Sequence, residues 1–320
     1  MTTGARPGPF DVLVLGSGVA GLSAAVRLAG PGGPSPALSL GVLTKGALSQ
    51  SATRWAQGGV AAVLGTTFTG HADDIRGIND LLVRLKTERE LDVPLHVDGA
   101  SGGFVWPFLY PHSEWDFRLE QVRSINVSGH KFGLVYPGIG WLIFREQSDL
   151  AEDLVFYENY LGREDATFTL NFSTGDSMVL AQYYNFVRLG FEGYQAVMEA
   201  MKLNARKLDE EIVATGQFEC IGGEAEQLPL VAFKLTGGQS YDEFDVAAKL
   251  AAERGWMLPA YTLPPKAEHV KIMRALVKET LGASLVKTLG SDLAEAIAEL
   301  AKHGPLPEPV RRRAKHNVGL

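Results

Sequence analysis

The sequence predicts an α/β protein made of two unlike parts that meet near residue 64. Three observations lead to this. A strand, a G-x-G-x-x-G turn and a helix follow one another between Asp11 and Ala29. Further on, two apolar strands end in chemistry-bearing residues about thirty positions apart, one at Asp98 and one at Ser128-Gly-His-Lys131. Charge is unevenly spread: of 37 acidic residues only Asp11 precedes Asp73, which marks the opening segment as different from the rest.

Composition sets the bounds. The 320 residues are 46% hydrophobic and 21% charged, an ordinary composition with ample core material. That length suits one large or two modest domains. A net charge of -7 gives no reason to expect nucleic acid or an anionic membrane as partner. The single cysteine, Cys220, rules out an internal disulfide framework and fits a reducing, cytoplasmic setting. The apolar run from Val12 to Val26 is broken by Gly16, Gly18 and Gly21 and is too short to span a bilayer. No internal repeat and no metal-ligand cluster is visible.

The first part reads in order. Asp11 to Leu15 is a short valine-rich strand. Gly16, Gly18 and Gly21 allow a tight turn and close approach of backbone to a pyrophosphate. The helix from Leu22 to Ala29 would offer its amide N-terminus to that anion. Leu38 to Thr44 is a second strand. An acid for a ribose is expected at its end, but Thr44-Lys45 stand there. A glycine-rich strand-helix turn without a ligand is the alternative. Thr44-Lys-Gly46 and the run from Ser49 to Ala62, through Ser51, Thr53 and Gln57-Gly-Gly59, resemble the flavin-binding N-terminus of the L-aspartate oxidase family. That resemblance implies FAD contacts from Gly16, Ser17, Gly18, Gly21, Lys45, Ser51, Thr53, Gln57, Gly58 and Gly59. It covers about one fifth of the chain and stops before that family's later FAD segments and catalytic residues.

In the second part, Pro94 to Asp98 is a strand ending in an acid and the loop Gly-Ala-Ser-Gly-Gly-Phe104. Val122 to Ser128 is a strand ending in Gly-His-Lys131. Two such ends suit a doubly wound sheet, which binds ligands at the carboxyl ends of its strands. A lysine can hold pyridoxal phosphate as a Schiff base, and a buried carboxylate can keep the pyridine nitrogen protonated. A surface lysine and a helix-capping acid are the plainer readings of Lys131 and Asp98. Phe191, Tyr194, Met198, Met201, Ala205, Leu208 and Ile212 recur at helical spacing and predict the core face of a long helix. Leu285, Leu289, Leu293, Ile297 and Leu300 predict another. Cys220 reads as a small buried hydrophobe.

The wording of these segments is similar to that of the glutamate decarboxylase family. It runs from Gly65-Thr-Thr-Phe-Thr-Gly70 through both strand ends, Asn159 to Gly162, Thr167 to Ser173, Ala181 to Tyr184 and Gly255 to Leu263, about 240 residues. The resemblance implies an incomplete fold-type I PLP-dependent transferase fold (aspartate-aminotransferase-like). The second half of its large domain would cover residues 65–175, and a linking helix and C-terminal α+β domain residues 176–320. It implies a carboxy-lyase converting L-glutamate to 4-aminobutanoate, with Lys131 as the Schiff-base lysine and Asp98 on the pyridine nitrogen. Ala100 would pack on the ring and Thr67 would sit near its hydroxyl or the substrate carboxylate. Ser128 and His130 would lie at the phosphate, and Ser173 would reach a neighbouring subunit's phosphate, implying at least a dimer. Arg274 would hold the substrate α-carboxylate bidentately; a solvated strand arginine is its plainer reading. His316, beside the basic tail at Arg311 to Arg313, resembles a histidine that closes the active site in some members. The resemblance begins in the middle of that fold, without the segments that supply the rest of the sheet and the distal-carboxylate pocket. It therefore implies a chimeric chain with impaired activity. The alternatives are a non-catalytic chain and an FAD-dependent flavoprotein.

Overall fold

The computed structural model describes residues 12–15, 40–43, 60–65, 67–150, 155–159, 162, 165–167, 175–222, 227–263 and 266–308. At the N-terminus, β1 (Val12–Leu15) and β2 (Leu40–Leu43) pair in parallel, Val12 opposite Leu40. The glycine turn and helix expected between them lie outside the described residues.

A four-stranded sheet carries the two chemistry-bearing strand ends. Its order is β3-β4-β5-β6, with β3 (Val60–Val63), β4 (Leu95–Asp98) and β5 (Val122–Ser128) parallel and β6 (Gly140–Phe144) antiparallel to β5. The sheet therefore takes in Val60 to Val63, ahead of the division near residue 64. The reason is burial: Ala62 and Leu64 are fully enclosed, and Val63 pairs with Asp98. Helix α1 (Ile75–Arg89) follows β3. Asp74 caps it by accepting from the Gly77 amide, and Ile75, Asn79 and Leu82 face inward at helical spacing. After β4 the chain turns through a 3-10 segment (Gly102–Phe104) into the short α2 (Trp106–Leu109). Gly102 is required here because a side chain would meet the Leu64 carbonyl. The turn α3 (Gly129–Phe132) follows β5 directly, and β7 (Phe156–Glu158) pairs with β8 (Asp165–Thr167) beyond it.

Helix α4 (Ser177–Ala214) leads to the second sheet and is interrupted at Gly190, whose φ of 59° and ψ of -166° are not helical. Past that break Tyr194, Met198, Met201, Ala205, Leu208 and Ile212 are buried as their spacing predicts. Phe191 is a correction: it is 59% exposed, as the first residue past the break. The antiparallel sheet has the order β11-β12-β10-β9, from β9 (Phe218–Cys220), β10 (Leu230–Leu235), β11 (Ala260–Thr262) and β12 (Lys271–Leu276). Helix α5 (Glu243–Arg254) opens on a reciprocal Asp242–Asp245 capping box and closes on the left-handed Gly255. Helix α6 (Ala283–His303) buries Leu289, Leu293, Ile297 and Leu300. Leu285, expected on that stripe, is 43% exposed in the helix's first turn. Burying one such side chain stabilises by roughly 1.5–3 kcal/mol, so these stripes hold the C-terminal unit together.

Candidate active site

In β4 the side chains alternate. Leu95 and Val97 are fully buried on one face, which leaves His96 and Asp98 half-buried on the other. Register with β5 sets His96 opposite Ser124 and Asp98 opposite Asn126. A polar network results. Asp98 Oδ1 accepts from the Ala100 amide at 3.0 Å and from Asn126 Nδ2 at 3.1 Å. Asn126 Oδ1 lies 2.9 Å from His96 Nε2, and His96 Nδ1 lies 2.8 Å from Ser124 Oγ. A carboxylate only accepts, so Asn126 must turn its amide nitrogen to Asp98 and its oxygen to His96. His96 then donates through Nε2, and Ser124 donates to Nδ1. Both contacts on Asp98 fall on Oδ1 and leave Oδ2 open among the described residues.

Lys131 sits in α3, directly past the end of β5. Its Nζ donates to Ser101 Oγ at 3.3 Å. Gly129 opens the turn where a Cβ would lie 2.6 Å from Ile139 Cγ2 and 2.7 Å from Gln182 Oε1. Phe132 is buried and anchors its far end. Three side chains pin the turn from outside. Lys278 Nζ donates to the Lys131 carbonyl and rests 4.8 Å from the Phe132 ring centroid. Gln182 Nε2 and Tyr194 Oη donate to the Gly133 carbonyl at 2.8 Å and 3.1 Å. Burial pushes the Tyr194 hydroxyl up to about 12, so it stays a donor. Burial pushes the Lys278 ammonium down, against the neighbouring Glu279 carboxylate.

A cavity of about 380 Å³ opens at Lys131, walled by Thr67, Phe68, Ser101, Phe132, Arg274 and Leu276. Arg274 comes from β12 of the second sheet, so the cavity lies between the two sheets. Its Nε is buried with no hydrogen-bond partner, and burial pushes the guanidinium down. An unpaired guanidinium on a cavity wall is a receptor for an anion, bidentate for a carboxylate. Thr67 Oγ1 donates to the His71 carbonyl at 3.1 Å.

Of the residues expected from the sequence, Thr67, Lys131 and Arg274 share this cavity. Asp98 is joined to it through the Ala100-Ser101 loop. Ala100 is buried and its carbonyl accepts from the Ser128 amide at 3.2 Å. Ser128 is half-buried, and His130 is exposed. Ala100, Ser128 and His130 are not on the cavity wall. Ser173, His316 and all ten expected FAD residues lie outside the described residues. Sequence reasoning missed Ser101, Asn126, His96 and Lys278. The first three carried a signal: Ser101 follows Asp98 in the same loop, His96 shares its strand face, and Asn126 is two residues before Ser128. Lys278 is remote in sequence and gave none.

A family model for the pyridoxal-dependent decarboxylase conserved domain matches residues 47–236. A Petunia hybrida glutamate decarboxylase is 49% identical over 241 residues, which is 75% of this chain and 48% of the relative. A Lactococcus lactis glutamate decarboxylase is 43% identical over 76% of this chain and 52% of its own. Among solved structures, the Lactobacillus brevis glutamate decarboxylase superposes with a TM-score of 0.74 at 33% identity, covering 92% of this chain and 67% of that one. The chain spans about half the length of the curated relatives it matches. The family match starts inside the segment with flavin-like wording and takes in β3.

Proposed function

The chain belongs to the pyridoxal-dependent decarboxylase family, and from that premise we propose that it acts on L-glutamate, releasing carbon dioxide and 4-aminobutanoate. The observation that carries this reading is the single cavity wall shared by the Lys131 amine and the unpaired Arg274 guanidinium. An amine that can form an imine then faces a cation that can hold a carboxylate.

The residues fit the cofactor on three counts. Lys131 presents a half-buried amine held toward Ser101. Asp98 has a free oxygen and a backbone-fixed carboxylate, suited to a pyridinium N–H. The cavity, at about 380 Å³, has room for a ring of that size. When bound, pyridoxal phosphate supplies an electron sink for the bond that breaks. The chain's own residues do the rest. Arg274 orients the substrate carboxylate, Asp98 keeps a proton on the ring nitrogen, and Phe68 and Phe132 exclude water. Ala100, Ser128, His130 and Ser173 are proposed for the ring face and phosphate, and Thr67 for the ring hydroxyl.

The experiment is covalent trapping. Purified protein is mixed with pyridoxal phosphate, reduced with borohydride and digested. Mass spectrometry should place the pyridoxyl group on Lys131, and Lys131→Ala should remove it. Release of labelled carbon dioxide from [1-14C]glutamate then tests turnover. A pyridoxyl group spread over exposed lysines would refute the reading.

Two finer readings are proposed beside it. The parallel β1–β2 pair supports a dinucleotide-type βαβ fragment at the N-terminus, and a flavin absorbance in the purified protein would test it. An exposed apolar face on the first half of α4 supports a homo-oligomer. No helix among the described residues is long and apolar enough to cross a membrane, which agrees with the proposed cytoplasmic location.

A further inference from the structure

A second and larger cavity, of about 700 Å³, lies away from Lys131 against the second half of α4. Lys202 and Arg206 enter its wall one helical turn apart, so two like charges stand side by side. Neither makes an ion pair or a hydrogen bond among the described residues. Like-charge neighbours at this spacing weaken a helix, and Asp209 is the one carboxylate among the described residues that line the cavity. Asp209 follows on the same face of α4, and its Oδ1 is buried with no hydrogen-bond partner. Leu230 and Val231 of β10 also line it. The cavity thus presents two cations and one carboxylate, none of them held in an ion pair among the described residues, beside Leu230 and Val231.

We propose that this cavity binds a small organic anion that also carries a hydroxyl or amine donor. The anionic group would lie between Lys202 and Arg206, and the donor would meet Asp209 Oδ1. A bare inorganic anion answers only the first demand. Nothing in the decarboxylase reading uses these residues, so the site would be separate from the one at Lys131. Burial and the adjacent Arg206 lower the Lys202 amine to about 8. The same charge lowers the nearby His71 imidazole, after its burial.

Lys202 supplies its own reporter. An amine lowered to about 8 is acylated near pH 8 ahead of ordinary lysines, which are mostly protonated there. The full chain would be labelled briefly with an acylating reagent in chloride, succinate or malate at equal ionic strength. Mass spectrometry would compare Lys202 with the exposed Lys207 on the same helix. Malate, with a hydroxyl donor, should protect Lys202 and not Lys207, at about tenfold lower concentration than succinate. Arg206→Met should weaken that protection about tenfold, and Asp209→Asn should erase the preference for malate. Equal labelling of Lys202 in all three salts would overturn the proposal. So would equal protection by succinate and malate, or protection indifferent to Arg206→Met. Melting curves of both variants confirm that they fold. None of these outcomes depends on whether Lys131 takes up pyridoxal phosphate.

Discussion

Asn126 is the residue on which the polar network beneath Asp98 turns. Its amide nitrogen serves the carboxylate and its oxygen serves His96. Asn126→Leu keeps the volume and removes both roles. Leaving partly buried polar groups unmatched costs about 1–3 kcal/mol, so urea denaturation should show a loss in that range. Lys278 acts on the turn that carries Lys131. Lys278→Met keeps the stem over Phe132 but loses the donor to the Lys131 carbonyl. Amide exchange at residues 131–134 should speed up in that variant, and Lys278→Arg should restore protection; unchanged exchange would remove this role. Cys220 behaves oppositely to a reactive thiol. Burial first, and then the Asp209 carboxylate beside it, push its pKa well up. The thiol therefore stays protonated in the native protein where an unfolded one has begun to ionise. Alkylation by iodoacetamide at pH 9 should be at least about tenfold slower than in a urea-denatured control. What was legible at this scale followed strand grammar. Asp98 and Lys131 stand at the ends of apolar strands, and such positions are visible in a linear sequence. Arg274 and Thr67 were reached only through resemblance, since nothing local marks them. Lys278 meets Lys131 by tertiary packing across two sheets, which no spacing encodes.

At the scale of elements, the core stripe of α4 was readable because burial follows a 3.6-residue period. It fails at Phe191, the residue next to the non-helical backbone at Gly190. The φ and ψ there, 59° and -166°, belong to a region that L residues rarely enter. No atom lies within 4 Å of the position a Cβ would take at Gly190. Gly190→Ala therefore meets no steric clash, and its cost is the backbone alone. A loss of about 1–3 kcal/mol in denaturant unfolding is expected. A variant as stable as the parent would mean that the break is not fixed at this residue. A glycine inside a helical pattern ordinarily reads as a weak helix position, so the sequence carried the residue but not the geometry. The same limit explains β3. Its run Val60 to Val63 is only four residues long, and its place beside β4 depends on partners far along the chain.

For the whole molecule, the exposed apolar face before Gly190 bears on the proposed self-association. Leu180, Tyr183, Tyr184, Val187 and Phe191 are 59–69% exposed, and Tyr136 beyond α3 is 80% exposed. Four of these side chains, Leu180 to Val187, lie on the one run of helix before Gly190, whereas isolated apolar residues scatter over any surface. A face of this kind is stable in water only when something covers it, and a second copy brings a matching face by two-fold symmetry. The outer edge of β3 adds unpaired backbone groups among the described residues, which favours further, less specific association. Sedimentation velocity should therefore show a mass above the monomer that rises with concentration. Leu180→Asp with Val187→Asp should shift the protein toward monomer. Both side chains are about two-thirds exposed, at 66% and 69%, so the double variant should melt within a few degrees of the parent. A parent that stays monomeric at high concentration would refute the self-association. Association that the double variant leaves intact would instead assign it to the open edge of β3, where Val60→Lys should then abolish it.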